Sequence, residues 1–266
     1  MKTNILIVGA GRMAEAIISG LVKKEEQLGK LTVANRTDKG RLNHLKHTYN
    51  IAITEDWTKE VEDNSCIILA TPPKSQEEQL KILSGIVNGQ LIITVAAGID
   101  PTYMEKRLPN GTSVCWIMPN TGAQIGKSMS TFVCGKHVNH TERNLIHFIL
   151  SAIGEAEELT EQQVHDMTAI TGSAPAFVYT FVQALEKAAM KSGVTREQAR
   201  KLVTKMVSGS IAMLESGSEP EQLISQVASP GGSTAEGLKV LEEANFQQII
   251  EGAVEATNKH ARNQGK

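Results

Sequence analysis

Only 4% of this 266-residue chain is aromatic, and basic residues do not exceed acidic ones: 27 Lys and Arg stand against 29 Asp and Glu, a formal charge of −2. A nucleic-acid partner calls for a basic surface and stacking platforms, so no nucleic-acid binding is expected. No apolar run reaches the roughly 18 residues that a membrane span needs. The opening Met1-Lys2-Thr3-Asn4 lacks a charged n-region and a long apolar h-region, so no signal peptide is expected. Cysteine is scarce and odd in number. Cys66, Cys115 and Cys134 each sit inside an apolar segment and read as reduced core residues, not as a disulfide or a nucleophile. A cytoplasmic location follows as an expectation. His44, His47, His137, His140, His147, His165 and His260 form neither an HExxH motif nor a Cys/His ligand spacing, so no metal site is expected. A Gly-x-Ser-x-Gly elbow is missing as well.

What is present is an ordinary globular balance, 41% hydrophobic and 21% charged, in a chain long enough for two domains. Over residues 1–160 short apolar runs alternate with amphipathic stretches. The runs are Asn4–Val8, Leu31–Ala34, Ala52–Thr54, Cys66–Ala70, Leu91–Val95 and Ser113–Met118, with Ser128–Cys134 and Ala156–Leu159 completing a sheet. Helical spacing appears at Met13–Lys23, Lys39–Tyr49, Gln76–Ile86 and Thr141–Ile153. Continuous Ile/Val/Leu runs alternating with helices predict a doubly wound α/β domain with parallel crossovers. Residues 161–266 show no strand pattern. Helices are predicted at Glu161–Ser192, Arg196–Ser216, Glu219–Ala228, Ala235–Ala244 and Phe246–His260. Thr160 with Gln163, Thr195 with Gln198 and Ser218 with Glu221 fit capping boxes for the first three. The first of these helices carries small or apolar residues around most of its girth (Ala169, Gly172, Ala174, Ala176, Ala184, Ala188, Ala189). Such a helix must be covered, by its own domain or by another subunit. So thin a core predicts an obligate dimer.

The strongest local motif is Ile5-Leu6-Ile7-Val8-Gly9-Ala10-Gly11-Arg12-Met13-Ala14, a strand running through Gly-x-Gly-x-x-Ala into a helix. Gly9 allows the tight turn, Gly11 lets a pyrophosphate approach the backbone, and Ala14 lets helix pack on strand. The helix start then offers free N–H groups to phosphate. At the end of the second strand NAD sites usually carry Asp or Glu; here stand Asn35, Arg36 and Thr37. A guanidinium there can pair with a 2′-phosphate or stack on adenine, which favours NADP over NAD. Arg12 adds a second positive contact. Ala70-Thr71-Pro72 and Ala96-Ala97-Gly98 follow the fourth and fifth strands, where small residues let a flat nicotinamide approach.

Two further motifs lie in the helical part. Ser229-Pro230-Gly231-Gly232-Ser233-Thr234 reads either as a tight interhelical turn or as an anion cradle, with two glycines, three hydroxyls and a helix start facing one point. A carboxylate is its natural guest. Thr168-Ala169-Ile170-Thr171-Gly172-Ser173-Ala174-Pro175-Ala176-Phe177, inside the long helix, reads either as part of the substrate site or as a kink, since Pro175 removes a helix hydrogen bond and the small residues permit close packing.

Together with Val95-Ala96-Ala97-Gly98-Ile99 and Met118-Pro119-Asn120-Thr121, these motifs resemble, in order and spacing, those of the pyrroline-5-carboxylate reductase family along essentially the whole chain. The resemblance implies an N-terminal Rossmann-type domain and an all-helical C-terminal dimerisation domain, NADPH (or NADH) as donor, and reduction of 1-pyrroline-5-carboxylate to L-proline. It also implies a homodimer, assembled further into decamers in some members. By that likeness Ser229 and the N–H groups of Gly232, Ser233 and Thr234 hold the substrate carboxylate beside Gly231. The Thr234 hydroxyl serves the ring nitrogen, and Asn120 joins the cofactor contacts. The chain departs from the family pattern at Trp116, where arginine is usual, and at Gly122, Ala174, Ser233 and Ala70-Thr71-Pro72-Pro73. A 3-hydroxyacid dehydrogenase would share the layout but needs a lysine on the long helix. Thr171–Phe177 offers none, and Lys187 and Lys191 come several turns later. A catalytically silent NADP sensor would bind nucleotide without turnover.

Overall fold

A computed structural model describes residues 2–24 and 26–264. Eight strands, β1 (Thr3–Val8), β2 (Leu28–Ala34), β3 (Ala52–Thr54), β4 (Cys66–Leu69), β5 (Leu91–Thr94), β6 (Val114–Met118), β7 (Ser128–Cys134) and β8 (Gly154–Glu158), form one sheet in the order β3-β2-β1-β4-β5-β6-β7-β8. Neighbours are parallel except β6 and β7. The link at 119–127 is shorter than the roughly dozen residues a parallel crossover requires, so the chain turns back antiparallel there.

Alternate residues of each strand serve opposite faces. Ile5, Ile7, Cys66, Ile68, Ile93 and Phe132 pack with helices α1 (Arg12–Leu21), α2 (Lys39–Tyr49) and α5 (His140–Ile153). Leu6, Val8, Ile67, Leu69, Ile92 and Trp116 pack with α3 (Pro73–Leu83) and α4 (Pro101–Glu105) on the other. The short α4 escapes the periodicity reading because five residues hold too few apolar repeats.

The single helix expected over Glu161–Ser192 is broken into α6 (Glu161–Met167), a π-helical segment Thr168–Ser173, and α7 (Pro175–Met190). Pro175 has no N–H to continue the ladder and sits in the first turn of α7. The rest are α8 (Arg196–Glu215), α9 (Pro220–Val227), α10 (Ser233–Glu243) and α11 (Phe246–Gln264). Capping boxes form at Thr160/Gln163 and Thr195/Gln198. The one expected at Ser218/Glu221 does not: Glu219 is the N-cap, because Pro220, with its fixed φ, sets the first helical position one residue later. Helix α10 starts at Ser233, two residues ahead of expectation.

The chain divides into two compact units, the first from the N-terminus to Ser173 together with the stretch from Thr257, the second Ala174–Ala256. Val164 of α6 is fully buried in the first unit, among the side chains around Trp116. In the second, Ala199 and Val203 are buried and Glu186 pairs with Arg200. Yet Val178, Tyr179, Phe181, Met206, Ile211, Ile224, Val240 and Ile249 stay exposed.

Phe132→Ala should empty a fully buried ring site and cost about 3–5 kcal/mol, read as a fall in urea midpoint at fixed protein concentration. A loss below about 1 kcal/mol would contradict the packing described.

Candidate active site

β1 delivers the chain to Gly9, whose φ of +115° suits only glycine; a Cβ there would lie 2.7 Å from the Ala70 carbonyl oxygen, and that backbone cannot yield. The Gly9 N–H donates to the Ala34 carbonyl at 2.8 Å, fixing the turn to the end of β2. Gly11 is the N-cap of α1, in extended conformation and with no side-chain cap; a Cβ built on it meets nothing within 4 Å. The helix therefore opens onto space with N–H groups unclaimed by its own cap residue, a cradle that suits a phosphate group. Ala10 and Ala14 are buried, Met13 half-buried, and Arg12 exposed at the rim.

The Asn35 side chain folds the turn after β2, its Oδ1 accepting from the Thr37 N–H at 3.1 Å and from the Thr37 hydroxyl at 3.3 Å. This leaves Arg36 and Thr37 exposed beyond it. Sequence reasoning missed Arg41. Its Nε donates to the Ala10 carbonyl at 3.0 Å and its guanidinium pairs with Glu15 of α1, whose other oxygen accepts from Tyr49 at 3.3 Å. Arg41 thus ties the glycine loop to α2. Burial, and then the Glu15 carboxylate, raise the Tyr49 phenol.

Gln76 was missed too. Fully buried, it donates to the Leu69 and Thr71 carbonyls at 3.2 and 3.0 Å and accepts from the Thr94 hydroxyl at 2.7 Å. Thr94 Oγ1 in turn accepts from the Ala96 N–H at 3.1 Å. One amide therefore holds the Ala70-Thr71-Pro72 and Ala96-Ala97-Gly98 loops in register. Thr71 is further held by Gln79 at 2.7 Å.

Trp116 is buried on β6, with Nε1 donating to the Ala96 carbonyl at 2.9 Å and its ring 4.6 Å from that of His165. His165 meets Asp100 at 2.9 Å, and Asp100 caps α4 by accepting from the Tyr103 N–H at 2.7 Å. Burial works to raise the Asp100 pKa, but the hydrogen bonds from His165 and Tyr103 outweigh it and hold the carboxyl below its ordinary value. Asn120 accepts from the Gly122 N–H at 2.8 Å and donates to the Met129 carbonyl at 3.3 Å, so its side chain shapes the β6–β7 turn.

Next to Ala97, a cavity of about 240 Å³ is lined by Met118, Pro119, Thr168, Gly172 and Ser173, and by Thr257, His260 and Ala261 of α11. Three of the sequence motifs meet here. The α11 wall was not foreseen; it is secured by Asn258, which donates to the Asp166 carbonyl at 2.8 Å and accepts from the Ala169 N–H at 3.0 Å. Those are backbone groups at the start of the π segment, where the α-helical ladder breaks. Arg262 pairs with the Asp166 carboxylate.

In the helical unit, the turn before α10 is closed by the Gly232 N–H donating to the Ser229 carbonyl at 2.9 Å, with Gly231 at φ +72°. Gly232 is an extended N-cap without a side-chain cap, and Ser229, Ser233 and Thr234 are exposed around it. Among the described residues no group of three or more His, Cys, Asp or Glu side chains could hold a metal ion.

Comparison with known proteins gives this geometry a relationship. Residues 161–264 match the family described as pyrroline-5-carboxylate reductase dimerisation, and residues 4–98 match NADP oxidoreductase coenzyme F420-dependent. The chain is 34% identical to pyrroline-5-carboxylate reductase 2 of Bacillus subtilis, over 97% of this chain and 94% of that protein. It belongs to the pyrroline-5-carboxylate reductase family. The NADP-bound pyrroline carboxylate reductase of Plasmodium falciparum superposes with TM-score 0.89 at 26% identity, covering 99% of this chain and 98% of that one. The Streptococcus pyogenes 1-pyrroline-5-carboxylate reductase does so with TM-score 0.90 at 27% identity, covering 98% and 99%. As a member of this family the chain is an oxidoreductase, with a Rossmann-type sheet followed by a helical dimerisation domain. The apolar side chains left exposed in the second unit are what an association surface requires.

Asn258→Leu should strip the Asp166 carbonyl and the Ala169 N–H of their partner and cost about 1–3 kcal/mol per group left unsatisfied. A melting temperature equal to the parent's would refute the pin. Because the Asp100 pKa is lowered on folding, its contribution is complete above the ordinary value of about 3.9 and disappears as pH falls through the lowered folded value. Asp100→Asn should therefore flatten the acid side of the stability profile below about pH 4, and an unchanged acid limb would remove the claim.

Proposed function

We propose that this protein reduces 1-pyrroline-5-carboxylate to L-proline with NADPH, NADH being the weaker donor. The observation that carries the reading is the glycine-opened, uncapped start of α10 beside Ser229. It provides a second anion cradle, separate in sequence from the one at Gly11, and a substrate acid needs one of its own. The family relationship supports the same assignment.

When bound, NADPH supplies the hydride. The protein's part is binding, orientation and charge placement. The N–H groups at the start of α1, with Gly9, Ala10, Gly11, Arg12, Met13 and Ala14, take the pyrophosphate. Asn35 holds the turn that presents Arg36 and Thr37, and Arg36 takes the 2′-phosphate. Ala70, Thr71 and Pro72, with Ala96, Ala97 and Gly98, flank the nicotinamide while Gln76 holds their loops, and Asn120 keeps the neighbouring turn in shape. Gly231 lets the backbone bend, and Ser229 with the N–H groups of Gly232, Ser233 and Thr234 receives the carboxylate. The Thr234 hydroxyl hydrogen-bonds the ring nitrogen and favours its protonated form, which makes the imine carbon electrophilic.

The functional division falls at 160/161, supported by the dimerisation match over 161–264. The working unit is a homodimer, and sedimentation at assay concentration tells it from a decamer. Free cysteines suit a cytoplasmic location, and no described helix is long and apolar enough to cross a membrane.

Purified protein with NADPH and pyrroline-5-carboxylate should consume the nicotinamide absorbance and release proline; no proline means the reading is wrong. Thr234→Ala should lower kcat about 10-fold or more with little change in NADPH affinity. Arg36→Ala should weaken NADPH about 10- to 100-fold while NADH binding holds, the cost of losing a charge-assisted hydrogen bond. The opposite pattern would reverse the two assignments.

A further inference from the structure

Cys115 of β6 and Cys134 of β7 face one another directly in the one antiparallel pair of the sheet. The Gly135 N–H donates to the Val114 carbonyl at 2.8 Å, one residue outside the pair on each strand. That bond places Cys115 and Cys134 at a non-hydrogen-bonded position of the ladder, where the side chains point to the same face and Cα atoms stand about 4.5 Å apart. This lies inside the roughly 4.4–6.8 Å that a disulfide spans without backbone movement. Cys66 is not equivalent. It lies on β4, two strand spacings from β6, about 9–10 Å away and too far to be bridged.

The two sulfurs differ in surroundings. Cys115 is fully buried, whereas Cys134 is half-buried at the sheet's rim beside the Arg143–Glu158 ion pair. A hydrogen bond from the Cys115 thiol, helped by the Arg143 charge, lowers the Cys134 pKa against burial and Glu158. Burial raises that of Cys115. The more exposed of two thiols placed directly opposite one another is suited to attack, and the buried one to resolve.

We propose that Cys134 and Cys115 form a reversible redox site that hydrogen peroxide converts to a cross-strand disulfide. The Cys134 thiolate attacks one peroxide oxygen. An S–O bond forms as the O–O bond breaks, and the departing hydroxide takes the proton that Cys134 shed and leaves as water. The Cys115 sulfur then attacks the Cys134 sulfenic sulfur. The S–S bond forms, the S–O bond breaks, and the hydroxide departs with the Cys115 proton as a second water. The two thiols together lose two electrons, and both peroxide oxygens are reduced. A dithiol reductant reverses the change by exchange. The crosslink would close the chain from 115 to 134 into a ring containing Met118, Pro119 and Asn120, so oxidation acts on the turn beside the nucleotide loops.

The test uses the full-length protein, hydrogen peroxide in small excess, and denaturing thiol counts with peptide mapping. Free thiols should fall from the three present to one, with the Cys115 and Cys134 peptides linked in a chain that still runs as a monomer on a non-reducing gel. Dithiothreitol should restore all three. Cys115→Ser should stop at a sulfenic acid on Cys134 that dimedone traps, Cys134→Ser should resist oxidation, and Cys66→Ser should behave like the parent. Mapping of the unaltered protein alone decides the matter if a variant does not fold. Retention of three thiols, a link through Cys66, a disulfide between two chains, or direct passage of Cys134 to sulfinic acid would each overturn the proposal.

Discussion

A helix that slips into π register cannot satisfy all of its own backbone, and in this molecule the groups at the start of the slip are satisfied from far along the chain. The Asp166 carbonyl and the Ala169 N–H find their partner in Asn258, about ninety residues on. That amide, with the Arg262–Asp166 ion pair, helps fix Thr257, His260 and Ala261 against the segment that carries Gly172 and Ser173. Gln76 does comparable work one layer deeper, where a single buried side chain bonds to both of two neighbouring loops. In both cases a neutral amide, able to donate and accept at once, is used where a charged group would carry a desolvation cost.

Much of the architecture was legible in the residues. Strand runs such as Ala52–Thr54 and Ser128–Cys134 and the helix Lys39–Tyr49 needed only the period of apolar positions and a turn residue at each end. The glycine turn was legible because its chemistry is local: Gly9 has to adopt a positive φ beside Ala70 wherever the rest of the chain goes. In the long helix the kink at Pro175 was legible but the register slip at Thr168–Ser173 was not, because it is permitted by a partner distant in sequence and Thr-Ala-Ile-Thr alone gives no sign of it. The direction of β7 was concealed for a different reason. Apolar pattern marks a strand but not its sense, and only the length of the link after Met118 could have revealed it.

The site residues divide in the same way. Candidates that would act through backbone, such as Gly11 and Gly232, can be read from composition and spacing, since a glycine at a helix start leaves its N–H groups uncovered. Those that act by holding others, Gln76, Arg41 and Asn258, look like ordinary polar surface residues until their partners are seen. Trp116 belongs with them. Its indole N–H anchors the Ala96 carbonyl, while His165 and Asp100 line up behind the ring.

Finally, the helical unit leaves Val227 and Val240 more than 60% exposed, among many other apolar side chains on its helices, while burying few of its own. Where those faces pair with another copy, association adds to the stability of the folded chain. The melting point is then a function of how much protein is in the tube, and dilution acts on this chain as a mild denaturant.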